Sequence, residues 1–182
     1  MKEKKNLPKI QDLYNTTDIE AYYKQDTLNW LLNQQPSKDW LKKNKFANDA
    51  IYIPIGVVEM LLQRIFKKIR IEVLDQGQLF NSVFCKIRLH YLDPISNSWE
   101  FHDGVGACEL QTKQGSGSLL QDFSNIGKGA VEMALPKAKS QAIKDAAEHL
   151  GKLFGRDVNR KESLEYTRTV NFEKPINPLN DD

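Results

Sequence analysis

The stretch "LFNSVFCKIRLHYL", Leu79 to Leu92, decides the fold. Val83, Cys85, Ile87, Leu89 and Tyr91 fall on one face, and Phe84, Lys86, Arg88 and His90 fall on the other. Alternation with a period of two marks a strand with one buried side. Upstream, "IRIEVL" (69–74) alternates too, and "DQGQ" (75–78) reads as the turn that joins them. Downstream, "DPISNS" (93–98) is a second turn and "WEFHDGVGACELQT" (99–112) a third strand. Gly104 and Gly106 within it predict a bulge or a close backbone approach. Three strands joined in sequence make an antiparallel meander.

Helices flank the meander. "IPIGVVEMLLQRIFKK" (53–68) carries Pro54 near its start and a wide apolar face of Val57, Val58, Leu61, Leu62, Ile65 and Phe66. "KQGSGS" (113–118) is a flexible connection, and "LLQDFSNIGKGAVEMA" (119–134) leads into "ALPKAKSQAIKDAAEHLGKLFG" (134–155). Pro136 suits the first turn of a helix there. Ile143, Ala146, Ala147, Leu150, Leu153 and Phe154 face a core, while Lys137, Ser140, Gln141 and Lys144 occupy another face. Gly151 is a packing glycine or a kink, and Gly155 the C-cap. Near the N-terminus, "TTDIEAYYKQDTLNWLLNQQP" (16–36) is a helix stopped by Pro36, and "PSKDWLKKNKFA" (36–47) a second, short one with Ser37 as N-cap. The predicted class is α+β: a three-stranded β-meander packed on a long helix, with helical additions. We expect a helical N-terminal arm at 1–45, whose apolar face packs on its own chain or a neighbour. The core domain spans 46–160, and a flexible, acidic, Asn- and Pro-rich tail spans 161–182.

Composition narrows the function classes. The chain has 182 residues, 40% hydrophobic and 27% charged, with a formal net charge of +2. Bulk charge does not announce a nucleic-acid binder, so an anionic partner would have to meet a local patch. Cys85 and Cys108 lie in apolar strands and read as buried thiols in a reducing compartment. No apolar segment follows the basic N-terminus as in a signal peptide, and no run reaches the ~18 residues of a membrane span. We expect a cytoplasmic protein. Between Lys113 and Arg160 there are eight Lys or Arg against five acids, a modest excess. Such cations track a phosphate backbone by replacing its counterions. Ala138, Ser140 and Ala142 would let that backbone approach the helix closely. The alternative is a solvated helix face, with Glu148 pairing to Lys144 and Lys152 at four-residue spacing.

"WEFHDGVGACE", followed after a gap by "KAKSQAIKDAAEHLGKLFG", resembles the core of the Rad-fifty-two family of single-strand annealing proteins. In that family a strand with an acidic, glycine-containing motif precedes a helix of small and basic residues ending in Phe-Gly. "VFCKIRLHY" resembles the family's middle strand, which carries an arginine where Arg88 stands, and "IPIGVVEMLLQRIF" resembles its preceding helix. The likeness spans about Ile51 to Arg160, and the short chain fits a phage-type member. It implies a ring- or filament-forming homo-oligomer, free of cofactor and nucleotide, acting in recombination and repair in a bacterial or phage-infected cell. Single-stranded DNA would lie in a continuous basic groove with its bases exposed for annealing. The family's groove lysine falls on Lys144, but arginines of the family fall on Asp145, Glu148 and about Val57. Other cations must then serve: Lys137, Lys139, Lys113 and Lys128 locally, with Lys152 and Arg156 beyond them. The basic strand face of Lys86 and Arg88 is a second DNA surface, a solvated face or a subunit contact. The acidic tail offers a contact for a replication or single-strand-binding protein.

Other readings stay open. An oligomeric structural or interaction protein would keep the fold without annealing DNA, and the acids at 145 and 148 favour it. A metal-dependent nuclease would use Asp103, Glu109 and Lys113, although the lysine follows the acid by four residues rather than the usual two. His90, His102, Cys85 and Cys108 lack the close spacing of zinc ligands. "KQGSGS" and "GKG" lack the strand–loop–helix setting of a phosphate loop. Trp30, Trp40 and Trp99 offer stacking surfaces for bases, core packing or subunit contacts. We expect no catalytic residues, no metal and no cofactor.

Overall fold

A computed structural model describes residues 19–45, 47–113, 123–162 and 165–166. The protein is α+β: among the described residues there are three α-helices, and a three-stranded antiparallel sheet packs on the longest of them. Helix α1 (Ile19–Leu32) comes first, then a 3-10 turn at Lys38–Trp40 and a short hairpin of β1 (Lys42–Asn44) and β2 (Ala50–Tyr52). Helix α2 (Ile55–Ile65) leads to the meander β3 (Ile69–Leu79), β4 (Ser82–Leu92) and β5 (Trp99–Glu109), and α3 (Ala130–Glu148) closes the fold.

The alternation read in β4 is realised. Val83, Cys85, Ile87 and Leu89 are buried in the core, and the intervening residues face outward. The expected turn at 75–78 is not one. β3 runs straight through it to Leu79, pairing Asp75 with Lys86 and Gly77 with Phe84. The reversal falls at Phe80 and Asn81, with Phe80 at φ 53°. A glycine between polar residues mimics a turn locally, but the register of β4 overrides it. The irregularity expected at the glycines of β5 sits instead in β3, between Val73 and Asp75.

Those glycines serve a close approach. A Cβ built on Gly104 would stand 2.2 Å from the Ala142 carbonyl oxygen, and one on Gly106 2.1 Å from that of Ala138. The helix answers with alanine at every fourth position: Ala130, Ala134, Ala138, Ala142 and Ala146 are all buried. Residues four apart share one helix face, so this ladder lies along the sheet. It also corrects two expectations. Ala138 and Ala142 are consumed by the sheet and leave no room for a phosphate chain. The helix begins at Ala130, so Pro136 lies inside it and not in its first turn. Its exposed ring removes one backbone bond.

The N-terminal helix belongs to the same core. Leu28 and Leu32 are buried with α2 and α3, and Gly151 packs beneath the Leu32 carbonyl, where a Cβ would be 2.3 Å from the oxygen. Asn33 and Gln34 close α1 by donating side-chain N–H groups to the Asn29 and Trp30 carbonyls, at 2.8 and 2.9 Å. The second short helix expected at 36–47 shrinks to the 3-10 turn Lys38–Trp40, with Ser37 at its N-cap as expected. Lys42 and Lys43 form β1 instead, and the expected boundary between 45 and 46 falls inside the hairpin. Gly155, at φ 106°, ends the 3-10 turn Lys152–Phe154 rather than α3. The connection at 114–118 and most of the tail at 161–182 lie outside the described residues. No helix among the described residues is long and apolar enough to cross a membrane.

Candidate nucleic-acid interface

The face of α3 turned away from the sheet forms one wall of a cleft of about 810 Å³. Lys137, Ser140, Gln141, Lys144 and Glu148 line that wall, four of them being the residues the sequence placed on a separate face. The β1–β2 hairpin supplies the second wall through Asn44, Ala50, Ile51 and Tyr52. Residues 154–160 form the floor, including Arg156, Asp157 and Arg160.

Local interactions hold these walls in place. Asn159 treats Ile51 as a strand partner: its Oδ1 accepts from the Ile51 N–H at 2.8 Å, and its Nδ2 donates to the Ile51 carbonyl at 2.7 Å. Arg156 closes the C-terminal end of α3, donating to the Glu148 carbonyl at 2.9 Å and to the His149 carbonyl. A guanidinium there satisfies orphan carbonyls and complements the helix dipole. Arg160 pairs with Asp157 at 3.0 Å. Lys144 sets its ammonium 5.2 Å from the centroid of the Tyr52 ring.

Among the described residues neither Lys137 nor Lys144 is in an ion pair. Partial burial lowers the Lys144 ammonium below its ordinary value, opposed by the Glu148 charge. Burial, then the neighbouring Asp145, pushes the Glu148 carboxyl up. Asp145 and Glu148 thus have local settings. Asp145 accepts the Val105 N–H of β5 at 2.9 Å, and Glu148 lines the cleft beside Lys144. Val57 is half-buried on α2, against the core.

The nine candidate cations do not converge. Lys137, Lys144 and Arg156 line the cleft. Lys139 is exposed on α3 outside it, and Lys128 is exposed in the turn before that helix. Lys113 donates to the Ser124 carbonyl at 2.7 Å. Lys152 is only 5% exposed, so its ammonium is not offered to a ligand in the cleft. Lys86 and Arg88 stand on the opposite, open face of the sheet. There Arg88 donates twice to Asp103, at 2.6 and 3.0 Å, and lies 4.0 Å over the Phe101 ring. Glu72 stands across from Arg88 and bonds His90 at 2.9 Å. Each partner lowers its carboxylate: Arg88 that of Asp103, and His90 that of Glu72. Asp103, one of the two carboxylates considered for a nuclease, is therefore committed to an arginine. Among the described residues no three His, Cys, Asp or Glu side chains converge to hold a metal ion.

The sequence reading missed the second wall. Lys42 faces Tyr52 in register and Lys43 faces Ile51, but of β1 only Asn44 lines the cleft. "KKNKFANDAIYI" carried the signal. Asn48 and Asp49, both at positive φ, are turn residues between two short runs. No protein-family model matches the chain, and neither does any curated protein.

Proposed function

We propose that the protein binds single-stranded DNA along this cleft and anneals complementary strands without nucleotide or metal, as a subunit of a homo-oligomer. One observation carries the reading. Lys137 and Lys144 of α3 stand unpaired, among the described residues, opposite a hairpin whose first strand is Lys42, Lys43 and Asn44. An open groove with two such cations along one wall suits a backbone that is held without being read. A single cleft with so few cations binds weakly, and repetition around an oligomer multiplies the contacts. The resemblance to single-strand annealing proteins points the same way and supplies the recombination setting.

A second reading has its own observation. The open face of the sheet exposes Trp99, Phe101 and Val105, each more than half exposed, around the Arg88–Asp103 pair. Such a face suits subunit contact, and assembly alone would then be the protein's role. The test is annealing of two complementary labelled oligonucleotides across a salt series, without ATP or metal. Annealing that is fast at low salt and fades as salt rises is the expected result. No annealing and no single-strand binding would leave the assembly reading in its place.

A further inference from the structure

The lysines of the cleft do not account for Tyr52. The side chain is 38% exposed on β2 and, of the large apolar residues exposed among the described residues, it is the one that lines the cleft. It is not loose. Lys144 contacts it from α3, Lys42 faces it across the hairpin, and Asn159 clips its neighbour Ile51 to the floor. An aromatic ring held in place with exposed surface, beside unpaired ammonium groups, matches the two halves of a nucleotide. The ring offers a π surface to a base, and the ammonium groups offer charge to its phosphate.

We propose that Tyr52 is a stacking platform for an unpaired base, and that the cleft selects single-stranded nucleic acid over polyanions in general. This rests on the reading of the cleft as a nucleic-acid groove. A duplex keeps its bases stacked inside and presents no free base face to the ring. A polyphosphate or an abasic chain presents charge alone. Stacking is tolerant of base identity, so the platform fits a protein that leaves sequence recognition to the opposing strand.

The experiment is equilibrium binding of the full chain, at one salt concentration, to labelled oligothymidylate and to an abasic oligomer of equal length. Oligothymidylate should bind about tenfold tighter. Tyr52→Ala should erase that difference while keeping the abasic affinity, and Tyr52→Phe should restore it. In Tyr52→Trp, oligothymidylate should quench the added emission and the abasic oligomer should not. If Tyr52→Ala keeps the tenfold preference, the platform is overturned and the groove reading stands. If the wild type binds neither oligomer, both fall. If Tyr52→Ala loses both oligomers, Tyr52→Trp decides, and absence of quenching overturns the platform.

Discussion

The two sides of the sheet treat positive charge differently. On the open side, register fixes each neighbour: Arg88 stands between Glu72 and Asp103, and its guanidinium is consumed by the second. On the helix side, the cations ride on the far face of α3, where neighbours come four residues apart. Those of Lys137 are Met133 and Gln141, both neutral, and those of Lys144 are Ser140 and Glu148. Arg88 is tied into the fold, whereas Lys137 and Lys144 are in no ion pair among the described residues. A count of lysines and arginines along the chain cannot separate the two.

The comparison can be broken most severely on β5 itself. Gly106→Val drives a side chain into the backbone of α3 and should cost about 3 kcal/mol or more, read as a lower urea midpoint or no folded protein. Val105→Thr, one residue away on the open side, should shift stability by less than about 0.5 kcal/mol. Charge reversal sharpens the functional half. Lys137→Glu with Lys144→Glu should weaken single-strand binding by about 100-fold at low salt and reduce the salt slope by about two. Lys86→Glu on the open side should change binding by less than about threefold.

The Arg88–Asp103 pair is about one-third exposed on both partners, at 32% and 35%. A double-mutant cycle of Arg88→Gln and Asp103→Asn should give only a small coupling, because solvent screens the pair. The smallest effect concerns Glu148. Its carboxyl is raised, so it takes up a proton at higher pH than an ordinary glutamate, and the cleft gains positive charge as pH falls through that raised value. Binding should tighten over the same window, and Glu148→Gln should flatten the dependence. The same shift makes its contribution to stability greatest below the ordinary value of 4.5 and lost as pH rises through the raised one. Glu148→Gln should therefore be slightly more stable than wild type at neutral pH.

Much of the fold was legible because its signals are periodic. β4 alternates cleanly, and Ile143, Ala146 and Leu150 mark the buried face of α3. What failed was local punctuation read without its partners. Gly77 looked like a turn until β4 paired with it, and Pro136 looked like a helix start although the alanine ladder continues two turns before it. The site was half legible. Lys137 and Lys144 share a face by spacing alone, whereas Tyr52 and Asn44 join them only because a short hairpin lies opposite α3. Lysine-rich "KKNK" has weak strand propensity, so its pairing with β2 depends on contacts distant in sequence, such as the clip from Asn159.

Under the proposed resemblance Asp145 would count as a loss, an acid standing where a phosphate-binding arginine is expected. Yet β5 ends the sheet among the described residues, and the amides of an edge strand can pair with an extended peptide that comes alongside. By holding the Val105 amide, Asp145 takes away one rung on which such a peptide, or another copy of the chain, would zip. Asp145→Arg would add a cation near the cleft and reopen that rung. The variant that binds DNA best in dilute solution would then also be the one most prone to stick to itself when concentrated.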